Sequence, residues 1–334
     1  MALKDSGRAA EKFKTSIGGQ ALIEGILMRG PEKDCMVVRT ADGLKTEFLP
    51  KKTRKKGSIA TWPFIRGVVN FADSQVVGVK SLMRSADLSP EETEQPSKFD
   101  LWLEKRLGSE KFQSFLIGSA VVLGVAMSVG LFFLLPMVIG SLFYSLVSST
   151  LLRNLIEGLI RIAIFFVYMI AVSRMGEMKR VFAYHGAEHK TIRCYEAGLP
   201  LTVENVRGMT RLHPRCGTSF LLVVMVVSIL VFSVASTILL HLFPQLHALE
   251  ESSGLLYRLL MIAFKLLLLP VVVSITYEIN RWAGRHDNWF TKILTYPGMW
   301  MQNFTTNEPD DDMIAVGIAA VEAVLPAEEG ADWW

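Results

Sequence analysis

Two of the six histidines in this 334-residue chain, His185 and His189, stand four residues apart with Glu188 between them. On a helix that spacing puts both imidazoles on one face, one turn apart, with the carboxylate at their shoulder. The order H-x-x-E-H therefore offers one metal ion two nitrogen ligands and a nearby proton acceptor. Downstream, Leu212-His213-Pro-Arg-Cys216-Gly-Thr-Ser219 adds an imidazole and a thiol. A mixed nitrogen and sulfur donor set suits a divalent ion, and zinc above all.

These residues can be used in two ways. If His185, His189, His213 and Cys216 all bind, the site is a closed tetrahedron of the structural kind, and Glu188 only supports it from outside. If three protein groups bind, water takes the fourth position and Glu188 becomes the base that activates it. Metallopeptidases with this motif order take a further ligand from a downstream helix. Glu278, at the end of the last long apolar segment, is a candidate for that place beside His213. The bland reading is that histidines near a membrane surface bond backbone carbonyls or lipid phosphates. Against it, five of the nine His and Cys residues fall between positions 185 and 216. A di-iron oxygenase is disfavoured, because His241 and His247 fall at the far ends of the neighbouring apolar segments and only His286 is left to add.

What must position these groups is a membrane protein. The chain is 51% hydrophobic and only 20% charged, more apolar than an ordinary soluble domain. Four segments are long and apolar enough to cross roughly 30 Å of hydrocarbon: 112–135, 155–175, 218–243 and 255–278. Met137–Leu152 is short and Ser-rich, and reads as re-entrant or interfacial. The 176–217 loop carries seven Lys and Arg, whereas 244–254 carries none. Cytoplasmic loops are enriched in these residues, so both termini and the 176–217 loop are expected in the cytoplasm, with a bacterial inner membrane as the location. A bend at Gly176 lays Met178–Ala197 along the membrane surface, ending at Gly198 as a C-cap. The net charge of +3 gives no argument for nucleic acid, and an odd count of three cysteines suggests no disulfide framework.

The fold class that follows is mainly α, a polytopic protein with about four transmembrane helices and a small α+β cytoplasmic N-terminal region. Residues 1–88 form that region. Cys35–Thr40 and Leu44–Leu49 around Asp42-Gly43 predict a β-hairpin, and Ile65 to Met83 an amphipathic helix packed on the bundle or on lipid. A basic run, Lys51–Lys56, reads as a solvated loop or a contact for anionic headgroups. Residues 89–111 are a linker and pre-membrane helix, and 112–278 the membrane domain bearing the motif loop. Residues 279–334 are an interfacial C-terminal region, in which Asp310–Asp312 suit the start of a helix. Glu157, Arg161 and Lys265 lie within apolar segments, where charges are functional suspects; a structural ion pair or snorkelling accounts for them at least as well as a transport path. Gly18–Pro31 reads as a tight turn before the hairpin, or as a segment bringing Glu24 and Arg29 to the metal or a headgroup.

Gly18-Gly-Gln-Ala-Leu-Ile-Glu-Gly-Ile-Leu-Met-Arg-Gly-Pro31, Tyr184-His-Gly-Ala-Glu-His189, Leu212-His-Pro-Arg-Cys-Gly-Thr-Ser219 and Asn307-Glu-Pro-Asp-Asp-Asp312 together resemble the YqhQ-like family of bacterial membrane proteins, over residues 17–322. The resemblance implies a metal-dependent enzyme of unestablished substrate. It implies a metal role for His185, Glu188, His189, His213 and Cys216, and draws attention to Gln20, Glu24 and Arg29. The leading expectation is a zinc-dependent hydrolase acting on a membrane lipid or membrane-associated substrate. Its ligands would be His185, His189 and His213, with Cys216 or Glu278 as further ligands and Glu188 as the base. The rival is a non-enzymatic scaffold or regulator with a structural His3Cys site, and a transporter ranks third.

Overall fold

The computed structural model describes residues 13–51, 57–89, 109–143, 146–147, 149–286, 288–328 and 330–333. The basic run at 52–56 and the linker at 90–108 lie outside these residues. Two compact units emerge, neither continuous in sequence. The first takes residues up to 90, 169–228 and 269–334; the second takes 91–168 and 229–268.

The first unit begins with a four-stranded antiparallel meander, β1 (Gly18–Leu22), β2 (Gly25–Arg29), β3 (Asp34–Thr40) and β4 (Gly43–Leu49), in that spatial order. Gly18–Pro31 is thus a hairpin of its own rather than a single turn, with Gly19 opposite Met28 and Leu22 opposite Gly25. Glu24 turns its corner at φ 51. The apolar runs Gly25–Met28 and Cys35–Val38 do not alternate with polar residues because both faces of the sheet are covered. One face, with Ile26, Met28, Cys35 and Val37, meets α5 (Gly176–Glu196) and α12 (Asp311–Val324). The other, with Leu22, Leu27, Met36 and Val38, meets Val77 and Leu88 of α1 (Ile65–Leu88).

On α1 the buried positions are small residues, Gly67, Gly78, Ser81 and Ser85, while Phe71, Val76, Val79 and Met83 are exposed. The apolar stripe therefore faces out, because small residues let the helix approach the sheet and α10 (Leu269–Arg285) closely. Helix α5 starts where the bend is expected and ends at Gly198, whose φ is +63. Twelve of its 21 residues are buried, because the sheet and α12 grip it from two sides. At Gly186 a Cβ would collide with the carbonyl oxygen of Asn307, so glycine permits the chain entering α12 to cross α5 directly.

Among the described residues, four helical stretches are long and apolar enough to cross a membrane: Gly118–Ser141, Leu151–Ser173, Leu221–Leu242 and Gly254–Arg285. The first comprises α2 (Ser109–Val129), a π-helical turn (Gly130–Leu134) and α3 (Leu135–Ser141). Residues 137–141 thus continue the first span rather than starting a re-entrant piece. Pro136 has no N–H to give to the Phe132 carbonyl four residues back; Arg161 Nε supplies that bond at 2.7 Å, and the helix passes through. The second and third spans lie in α4 (Thr150–Ser173) and α7 (Gly217–Leu242). The fourth joins α9 (Gly254–Leu267) to α10 and is interrupted at Leu268, just before Pro270. Three shorter α-helices are also present among the described residues: α6 (Val203–Arg207), α8 (Gln245–Ser252) and α11 (Trp289–Thr305).

Candidate metal centre

His185 and His189 project from the same face of α5, with ring centroids 4.3 Å apart. Each is oriented by a backbone carbonyl. His185 Nδ1 donates to Thr305 O at 2.8 Å, and His189 Nδ1 donates to Arg211 O. A carbonyl only accepts, so these bonds place the proton on Nδ1 and leave a lone pair on each Nε2. Backbone carbonyls fix metal-binding imidazoles in this way. His185 Nε2 then lies 3.2 Å from Cys216 Sγ, and His189 Nε2 is buried with no hydrogen-bond partner. One ligand atom from each of His185, His189 and Cys216 falls within 4.8 Å of the others. The donor set, two neutral imidazoles and a thiol, fits zinc.

Cys216 ends the 208–216 loop immediately before α7. Thr218 steadies its sulfur through its N–H at 3.4 Å and its hydroxyl at 3.2 Å. Burial lowers His189 to about 4, so that imidazole is neutral and ready to ligate at physiological pH. The loop is held at its backbone. Gln302 of α11 accepts from His213 N at 2.7 Å and donates to His213 O at 2.8 Å, and Arg193 donates to Leu212 O at 2.7 Å.

Glu188 is 5% exposed. Its Oε1 accepts the Gly19 N–H at 2.9 Å, while Oε2 is buried and unpartnered. A Cβ on Gly19 would stand 3.1 Å from the Glu188 carboxyl carbon, so glycine gives the carboxyl room against β1. Burial is the main cause that pushes its pKa up to about 7, with Cys216 adding to the rise and His185 and Gly19 opposing it.

The other two residues expected as ligands are bonded elsewhere. His213 packs beside His189, with centroids 5.6 Å apart, but its Nε2 faces Glu196 Oε2 at 3.3 Å. Burial, then Arg215 and Arg193, holds its pKa well below the usual imidazole value. Glu278 is occupied by Arg66, whose Nε donates at 2.7 Å, and by the Phe64 N–H at 3.3 Å. Glu24 is likewise not a member of the cluster; it binds Arg180 and Tyr184 of α5 and Arg39 of β3. Arg29 binds Asp34 and Asp73, and Gln20 packs on Gly78.

Three residues that spacing and composition do not single out, Glu196, Gln302 and Arg215, complete the surroundings. Glu196 is fully buried and receives Thr15 N–H at 2.9 Å, Arg215 and His213. Its one sequence signal is its position seven residues past His189, on the same helical face. The Asn307–Asp312 motif stitches these elements together. Asn307 N–H donates to Phe182 O at 2.8 Å, Glu308 pairs with Lys190 and Arg211, and Asp310 caps α12 through Met313 N–H at 2.8 Å.

The family model described as protein of unknown function (DUF1385) matches residues 62–327. The chain belongs to this family. It is 33% identical over 325 residues to a protein named Uncharacterized protein YqhQ from Bacillus subtilis (strain 168), across 95% of this chain and 94% of the relative. No solved structure matches.

Proposed function

We propose that the chain is a metal-dependent membrane enzyme, in which His185, His189 and Cys216 hold a divalent ion, zinc by its donor set, and Glu188 serves as the base in hydrolysis. The observation that carries this reading is the pair of open Nε2 lone pairs, each set by a backbone carbonyl, converging on one thiol. A divalent ion held there supplies Lewis acidity and lowers the pKa of a bound water. With three protein ligands a position would stay open to substrate or water, and the unpartnered oxygen of Glu188 would take the proton from the attacking water and pass it to the leaving group. The apolar spans favour a membrane lipid or another membrane-associated substrate. The basic 176–217 segment favours a cytoplasmic position for the site and both termini, in a bacterial inner membrane.

The depth of the site favours a second reading. His189 is 1% exposed, and so closed a cluster also suits a structural or regulatory metal, which His213 would complete on leaving Glu196. Metal analysis of the purified full chain, with Glu188→Gln and His213→Gln, separates the two. The enzyme reading expects stoichiometric zinc in all three proteins and lost turnover only in Glu188→Gln. Zinc that depends on His213 and is indifferent to Glu188 supports the staple, and metal-free protein purified without chelators overturns both.

A further inference from the structure

The second unit contains a cavity of about 130 Å³, against roughly 10–15 Å³ for a single water. It lies among the first turns of α4, the last turns of α7 and the start of α9. Arg153, Arg258 and Lys265 line it, with Glu157 as the lone carboxylate among the described residues of the wall. That carboxylate is already engaged. Lys265 Nζ donates to both its oxygens, at 2.7 and 2.8 Å, and Arg161 Nη2 to Oε1 at 2.8 Å. Arg153 Nε already donates to Val147 O at 2.7 Å, whereas Arg258 has no ion-pair partner among the described residues.

Two polar atoms in the wall make the argument sharper. Asn154 Nδ2 and Ser236 Oγ are buried and make no hydrogen bond, and Ser236 is 1% exposed. Buried donors in native proteins are nearly always satisfied. Arginines at span ends can reach out to water on their own, but that does not explain an orphaned amide and hydroxyl facing the same space.

We propose that this cavity binds a phosphate-bearing anion. The Arg258 guanidinium, an amide and a hydroxyl on different walls suit a group with several acceptor oxygens, and guanidinium matches phosphate with paired donors. A phospholipid headgroup and a soluble phosphate compound share that chemistry. Exposed Leu151, Leu255 and Leu259 beside the arginines provide an apolar surface along which acyl chains could run.

The test uses the purified full chain in a neutral detergent, with binding followed by native mass spectrometry and thermal shift. Phosphatidic acid, phosphatidylcholine and inorganic phosphate are titrated separately at low and high salt. One phosphatidic acid or one phosphate is expected per chain, with affinity falling about tenfold in Arg258→Gln and again in Ser236→Leu, and weakening as salt rises. Phosphatidic acid without free phosphate identifies a lipid site, and both together identify a site for the phosphate group itself; either outcome upholds the proposal. Failure of the wild type to bind any of them overturns it, as does binding that Arg258→Gln leaves unchanged. Arg258 is partly exposed, so that variant is informative even if Ser236→Leu fails to fold. Repeating the titration in Cys216→Ser keeps the result independent of the metal reading.

Discussion

The His185/His189/Cys216 cluster and the Glu157/Arg161/Lys265 cluster both bury groups that water would otherwise solvate, yet they end in opposite states. In the ion cluster every charged group has a partner: Glu157 accepts from two cations, and Arg161 also reaches the Phe132 carbonyl and lies over the Phe133 and Phe232 rings. In the histidine cluster the partners stop short. Backbone carbonyls take the Nδ1 protons, and then His189 Nε2 and Glu188 Oε2 have nothing to bond. Burial alone is thus a poor guide to function, and leftover bonding capacity is a better one. A closed set of charges holds helices together, while an open set awaits a ligand.

The contrast is broken most directly at the ligands. Replacing His189 by Ala or Cys216 by Ser should weaken zinc binding on the order of 100-fold or more, measured by metal analysis and competition with a chelating dye, whereas His213→Gln should retain the ion. Equal losses in all three would erase the distinction between bonded and open imidazoles. Next, Glu157→Ala should cost about 3–5 kcal/mol by leaving buried cations unpaired, while Glu188→Gln in metal-free protein should stay within about 1 kcal/mol of wild type. Thermal unfolding in one detergent compares them, and a reversed order would sink the idea that only the ion cluster is structural.

A smaller effect probes what holds the open set open. Gln302→Leu removes both bonds to the His213 backbone and should lower metal affinity about tenfold through the loop that carries Cys216, with the fold retained by circular dichroism. An unchanged affinity would mean that the loop needs no such clamp. A separate effect, on stability rather than on metal, is expected at the corner beside α5. Burial disfavours the Glu24 carboxylate, but Arg180, Arg39 and Tyr184 outweigh it and bring its pKa down to about 2. Because the folded value lies below the unfolded one, this carboxylate stabilises the protein above about pH 4.5, and the contribution disappears as pH falls towards 2. Glu24→Gln should therefore lower stability at neutral pH by up to about 3 kcal/mol before screening at the exposed Arg180 reduces it, and should flatten the acid limb of the unfolding curve.

Much of the fold and half of the candidate site are legible in the amino-acid order. Apolar run length locates the four spans, the i, i+4 spacing pairs His185 with His189, and Asp310–Asp312 mark the start of α12. What escapes does so for identifiable reasons. The stripe on α1 is readable as apolar, but not that Gly67, Gly78, Ser81 and Ser85 form the face that packs. Pro136 reads as the end of a span, because the guanidinium that satisfies Phe132 comes from residue 161. His213 and Cys216 are equally good ligands by type, since both stand in one short motif.

The amino-acid order by itself determined the elements and the donor atoms, because helical period, hydropathy and ligand chemistry are local properties. Tertiary structure decided which donors remain available. Whether an imidazole nitrogen is open depends on which carbonyl or carboxylate meets the other side of its ring, and those groups come from Arg211, Thr305 and Glu196. Only packing brings such partners together, so the division between His189, free to bind, and His213, already bonded, could not be read from spacing.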